Sequence, residues 1–110
     1  MKYVLLIYAC EATGGDRSST LAEYLAFAEA LRQRGVFCGG EGLDDVGTAT
    51  TVRVRKGKAV HTDGPFADTK EQLGGFFLVD VETETDALAL AAEIPGARGG
   101  TIEVRAVTQY

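Results

Sequence analysis

Two segments of this chain are apolar on both parities, and no other feature constrains the fold as tightly. From Met1 to Tyr8, the side chains of Tyr3, Leu5 and Ile7 alternate with Val4, Leu6 and Tyr8; from Gly75 to Val81, Phe77 and Val79 alternate with Phe76 and Leu78. Successive side chains of a strand point to opposite faces, so strands of this kind must be covered on both faces and belong in the interior of a sheet. The chain has 110 residues. That is one domain, because neither half is large enough to bury a core of its own.

The remaining elements follow from periodicity and punctuation. After Gly14-Gly15, Thr20 and Glu23 form a T-x-x-E capping box, and Leu21, Tyr24, Leu25, Ala28 and Leu31 recur at helical spacing. This predicts a helix over Thr20 to Arg34, ended by Gly35. Val36, Phe37 and Cys38 read as a short strand stopped by Gly39-Gly40, with Glu41 to Gly47 as an acidic loop. From Ala49 to Thr62, Val52 and Val54 alternate with Thr51, Arg53 and Arg55, then Lys56-Gly57-Lys58 turns the chain into Ala59, Val60 and His61. This is a β-hairpin with one polar face. Thr83 and Thr85 offer caps for a second helix from Asp86 to Ile94, with a small-residue face of Ala87, Leu88, Ala91 and Ala92 ended by Pro95-Gly96. Thr101 to Val107 alternates Ile102, Val104 and Ala106 with Glu103 and Arg105, a strand with one wet side.

With the hairpin set aside, the order is strand, helix, strand, then strand, helix, strand. That is the split βαβ order of ferredoxin-like domains, an α+β class in which an antiparallel sheet carries two helices on one face. Two helices cover one face, yet the two interior strands are apolar on both. A second copy of the chain covers the other face at least cost, because a two-fold interface uses one patch twice. An obligate homodimer with facing sheets is therefore expected.

Charge and composition exclude several classes. Eleven Lys and Arg against sixteen Asp and Glu give a net charge of -5, so the field that draws a protein onto nucleic acid or an anionic membrane is missing. Two cysteines and one histidine supply neither a disulfide scaffold nor a zinc finger, and no cofactor or metal is expected. Neither G-x-x-x-x-G-K-[ST] nor G-x-G-x-x-G occurs. Lys2 followed by an apolar run to Ala9 and Cys10 is too short for a secretory signal, and no run approaches a membrane span, so a cytoplasmic protein is expected.

The fifteen residues from Thr62 to Phe76, T-D-G-P-F-A-D-T-K-E-Q-L-G-G-F, are the most distinctive stretch. They resemble the signature of the DGPF-motif branch of the YCII-related proteins. The likeness extends to the opening M-K-Y-V-L-L-I-Y, the A-T-T-V-R-V-R strand and the I-E-V-R near the end. It implies a ferredoxin-like domain that pairs into a dimeric α+β barrel. Many members are encoded beside extracytoplasmic-function sigma factors, which implies a sigma-factor-linked protein partner, and some relatives in the wider group are small-molecule lyases. Asp68 stands where the family usually has Glu, and Phe77 where Tyr is common. The lyases use an Asp and a His carried on the first helix; Thr20 to Arg34 contains no His, so that activity does not transfer.

Within the motif, the Asp63 carboxylate can accept backbone N–H groups in an Asx-type turn, Gly64 can take positive φ, and Pro65 fixes the next φ. The same turn can instead hold Asp63 at a pocket edge as a general base. His61 shares the parity of Asp63, so a His/Asp dyad is open, as is a solvated surface histidine. Arg53 and Arg55 share a hairpin face and either clamp a small anionic ligand or form a solvated face with Lys70, Glu71 and Asp68 as ion partners. Cys10 and Cys38 both follow strands and read either as packed thiols or as a redox pair. Two functions result. The favoured one is a homodimeric binding accessory for a small ligand or a protein. The alternative is a lyase- or isomerase-type enzyme with Asp63 as base, assisted by His61 or Tyr8, in which Arg53, Arg55, Gly64, Pro65, Phe66 and Lys70 line the site.

Overall fold

The computed structural model describes residues 1–10 and 17–110. Its elements are β1 (Lys2–Ala9), α1 (Arg17–Gln33), β2 (Phe37–Gly42), β3 (Thr50–Arg55), β4 (Lys58–Asp63), β5 (Gln72–Asp80), α2 (Glu84–Glu93) and β6 (Thr101–Ala106), with short 3₁₀ turns at Val46–Thr48 and Pro95–Arg98. Four strands form one sheet in the order β2-β5-β1-β6, and β3 and β4 pair in a separate two-stranded sheet. All pairings in the larger sheet are antiparallel. This is the ferredoxin-like arrangement, and the two strands with apolar residues on both faces, β1 and β5, occupy its centre as their composition requires.

Register sorts the side chains of the sheet. Leu5 lies opposite Phe77 and Val104, while Leu6 lies opposite Phe76 and Glu103. Tyr3, Leu5, Ile7, Phe77 and Val79 therefore face one way and are buried in a single core with Ala28 and Leu31 of α1 and Ala87, Leu90, Ala91 and Ile94 at α2. Leu5, Leu31, Val79, Leu90 and Ile94 are fully enclosed, each contributing roughly 1.5–3 kcal/mol from burial. Both helices sit on this face. Val4, Leu6, Tyr8, Leu73, Phe76 and Leu78 project from the other and are only half-buried. The Cα trace measures 47 × 40 × 18 Å, the thinnest dimension being that of one helical layer on one sheet.

Several local readings are corrected. Helix α1 begins at Arg17, so Thr20 lies inside it and the capping box is not its N-terminus; Glu23 instead accepts from Arg98 at 2.7 Å. Gly14-Gly15 fall outside the described residues. The inward face of α1 is Tyr24, Phe27, Ala28 and Leu31, while Leu21 and Leu25 are about 60% exposed. Strand β2 runs through Gly39-Gly40 to Gly42 rather than stopping, because β5 supplies the hydrogen-bonding partner that outweighs weak local propensity. Thr83 caps α2 by accepting the Asp86 N–H at 3.2 Å, and the buried stripe is Ala87, Leu90, Ala91 and Ile94, with Leu88 and Ala92 outward.

The β3–β4 hairpin turns at Lys56 and Gly57, both at positive φ, with Arg55 opposite Lys58; this is the two-residue turn that matches strand twist. It is inserted between β2 and β5, adjacent strands that would otherwise form an ordinary hairpin. Every residue of β3 and β4 except Thr51 is exposed. The arm raises the radius of gyration to 15.7 Å, against about 13 Å for a compact domain of this length.

Candidate functional site

The turn that follows β4 is held by backbone and by Thr51, not by Asp63. Gly64, at φ 93°, donates its N–H to the Ala49 carbonyl at 2.7 Å, and the Thr51 hydroxyl donates to the Gly64 carbonyl at 2.8 Å. The Asp63 carboxylate is exposed and makes no hydrogen bond among the described residues, so the expected Asx-type turn does not form. Gln72 organises the rest of the loop: its Nε2 donates to the carbonyls of Ala67 and Thr69 at 3.1 and 3.0 Å, while the Thr69 hydroxyl donates to the Glu71 backbone carbonyl at 2.7 Å. Gln72 lies inside the motif, but only the folded loop shows what its amide reaches. Phe66 stands out of this loop and is 79% exposed.

The predicted site residues fall into three separate places. Thr50, Val52 and Val54 pair with Asp63, His61 and Ala59, so His61 and Asp63 do share a hairpin face, as their parity implied. Arg53 and Arg55 project from the opposite face, beside Val60 and Lys58. Among the described residues neither arginine makes an ion pair, and Lys70 in the following loop makes none either. Asp68 and Glu71 are therefore not their partners. Tyr8 lies on the other sheet altogether, on the face away from the helices, where its hydroxyl donates to Glu103 at 3.4 Å. Within one chain, one ligand cannot touch the Asp63 face, the arginine face and Tyr8 together.

Topology also separates the cysteines. Strand β5 lies between β1 and β2, and Phe37 is level with Tyr3 through their common neighbour Val79. Cys38 is thus at one end of the sheet and Cys10 at the other, roughly 20 Å apart at the rise of a strand. No disulfide joins them, and a redox pair within one chain is ruled out. Among the described residues no cluster of His, Cys, Asp and Glu could hold a metal, and no helix is long and apolar enough to cross a membrane.

One concave feature among the described residues is a groove that sequence reading missed. A groove of about 480 Å³ runs between α1 and the β2–β5 pair, walled by Tyr24, Leu25, Ala28, Phe37 and Phe77. Its floor is Gly40, Gly42 and Gly75, which lie on the helix-facing side of adjacent strands. Without side chains at these positions the space between sheet and helix is left unfilled. A Cβ at Gly40 would sit 2.8 Å from Phe77 Cδ1, whereas one at Gly42 would meet nothing within 4 Å. Glu41 and Phe76 border the groove, but strand alternation turns their side chains to the other face. Arg32 is the charged side chain of the helix-facing lining. Its guanidinium lies 4.5 Å over the Phe37 ring and is only loosely engaged by Glu29 at 3.5 Å. Tyr24 forms the inner wall, and burial pushes its phenol above the usual value, an effect eased by the Gly96 N–H. The signal for this groove in the sequence is the glycine pattern at 40, 42 and 75, which reads there only as turns.

Such a groove offers an apolar, aromatic-walled slot with one guanidinium, suited to a small ligand with an apolar body and an anionic group. Comparison with known proteins adds the family. A protein of Rhizobium meliloti (strain 1021), named Uncharacterized protein R00369, is 42% identical over 64 residues, which are 56% of this chain and 52% of that protein. The chain thus spans about half the length of the curated relative it matches. The family profile of the YCII-related domain matches residues 1–110, and the chain belongs to that family.

Proposed function

We propose that this protein is a homodimeric binding protein that holds a small amphipathic anion in the groove between α1 and β2–β5. The observation that carries this reading is the groove itself: its floor is stripped to glycine, its walls are aromatic and aliphatic, and Arg32 is its charged side chain. Binding is favoured over acid–base chemistry because Asp63 and His61 stand exposed on the hairpin, Asp63 with no hydrogen bond, and Arg53 and Arg55 point away from them. A general base needs a defined neighbour to work against. The homodimer is supported by the open sheet face, where Val4, Leu6, Tyr8, Leu73, Phe76 and Leu78 form one apolar surface. The Asp63-Gly64-Pro65-Phe66 sequence supports assignment to the DGPF-motif branch, and with it a cytoplasmic accessory role linked to a sigma-factor system rests on family resemblance alone.

The test uses 8-anilinonaphthalene-1-sulfonate, an apolar aromatic anion, as probe, with displacement by medium-chain carboxylates. Arg32→Gln and Gly42→Val are expected to weaken probe binding at least tenfold, the latter by filling the floor, while the fold measured by circular dichroism is kept. Unchanged affinity in both variants would remove the groove as the site. Sedimentation of the wild type at micromolar concentration is expected to give a dimer, and Leu6→Glu on the open face a monomer.

A further inference from the structure

We propose that the β3–β4 hairpin is an arm that packs against the body of a second copy of this chain. The inference rests on the homodimer reading above and adds to it a surface that the facing sheets do not include. A two-stranded hairpin is at best marginally stable in water unless something covers it. Here neither face is covered by the parent chain. Val52 is 57% exposed, Val54 63% and Phe66 79%, with Val60 on the reverse side nearly half exposed. These are the residues of an interface core, carried on both sides of a ribbon that stands off the domain.

Charge identifies the occupant. Residues 50–63 hold four of the eleven Lys and Arg (Arg53, Arg55, Lys56 and Lys58) and one of the sixteen Asp and Glu (Asp63), so the arm carries +3 and the rest of the chain -8. Among the described residues none of the four cations makes an ion pair. A strongly anionic body and a cationic, apolar arm in the same sequence are complementary between copies, where they are not satisfied within one. Nucleic acid would also attract the cations, but it would repel the body and leave the valines and Phe66 in water. The arm also leaves the sheet between the end of β2, an edge strand, and the start of β5, and pairs with no strand of the body. In the assembled dimer the Asp63–Phe66 turn of one copy thereby becomes part of a surface shared with the other.

The experiment mixes isotope-labelled and unlabelled chains and records isotope-filtered contacts. The methyl groups of Val52, Val54 and Val60 and the Phe66 ring are expected to contact the unlabelled copy. In parallel, hydrogen exchange at the amides of residues 50–63 is expected to be about tenfold or more faster in the monomeric Leu6→Glu variant than in the wild-type dimer. Arg53→Glu with Arg55→Glu, which touches no core residue, is expected to weaken dimerisation about tenfold and to flatten its salt dependence, so the inference stays testable if Leu6→Glu fails to fold. A dimer whose arm gives no contact to the other copy overturns the arm and leaves the homodimer standing. A wild-type chain that sediments as a monomer overturns the homodimer and the arm with it, while groove binding is judged separately by the dye.

Discussion

Replacing Gly40 by alanine tests whether the glycine floor is there for packing. In an exposed strand this change normally stabilises by about 0.4–1 kcal/mol, because alanine has fewer unfolded conformations to lose. At Gly40 the new Cβ would stand 2.8 Å from Phe77 Cδ1 and 2.9 Å from the Phe76 carbonyl oxygen. Neither can give way cheaply. Phe77 is buried, edge-to-face with Phe27 at 5.1 Å and stacked near Tyr24 at 6.3 Å, and the Phe76 backbone is paired on both sides within the sheet. Overpacking of this kind costs about 1–3 kcal/mol, leaving a net loss of roughly 1–2 kcal/mol. With a urea m-value of about 2 kcal/mol/M, the unfolding midpoint should fall by about 0.5–1 M. Gly42→Ala is the control. Its Cβ meets nothing within 4 Å, so the midpoint should stay or rise. A Gly40→Ala midpoint at or above wild type, with Gly42→Ala below it, would refute the packing argument.

Other substitutions probe other parts of the account. Leu31→Ala empties a fully enclosed position between α1 and the sheet and should cost about 2–5 kcal/mol by urea unfolding. Thr51→Val removes the hydroxyl bond to the Gly64 carbonyl and should cost about 0.5–1.5 kcal/mol, whereas Asp63→Asn and Asp63→Ala should both stay within about 0.5 kcal/mol of wild type. Tyr24 has a folded-state pKa raised above 10.0, so its contribution is fully present below that value and is lost as pH rises past it through the folded value. The wild-type urea midpoint should therefore fall between pH 9 and 11 by more than that of Tyr24→Phe, and equal slopes would contradict the burial of the phenol. Arg98→Ala breaks a 2.7 Å pair with Glu23, but the two side chains are 76% and 47% exposed, and a loss below about 1 kcal/mol is expected.

The architecture was legible because it rests on parity. Tyr3 to Tyr8 and Phe76 to Val79 have to be central strands, and once they are central the order of the remaining elements leaves few topologies. Boundaries were less legible where tertiary pairing overrides local preference. Gly39-Gly40 read as a stop, yet β5 carries the strand through them. Helix faces were misread where apolar residues exceed what the core can take: α1 offers Leu21, Leu25 and Phe27, and contact with Phe77 selects Phe27. The motif residues were located correctly on a turn, but its bonds belong to Thr51, Gly64 and Gln72, and a carboxylate beside a turn says little about which group will hold it. The groove was illegible because it is made of missing side chains. Glycines at 40, 42 and 75 acquire meaning only when β2 and β5 are paired in register beneath α1.

Whether the groove between α1 and β2–β5 binds a small amphipathic anion is read residue by residue in an amide-resolved NMR titration with 4-phenylbutyrate. Saturable shifts are expected at Tyr24, Ala28, Arg32, Phe37, Gly40 and Gly42, with β6 unaffected, and these shifts should be lost in Gly42→Val. Shifts confined to the open sheet face at Val4, Leu6 and Leu78, or to the hairpin, with the groove amides unmoved at saturation, would contradict binding in the groove.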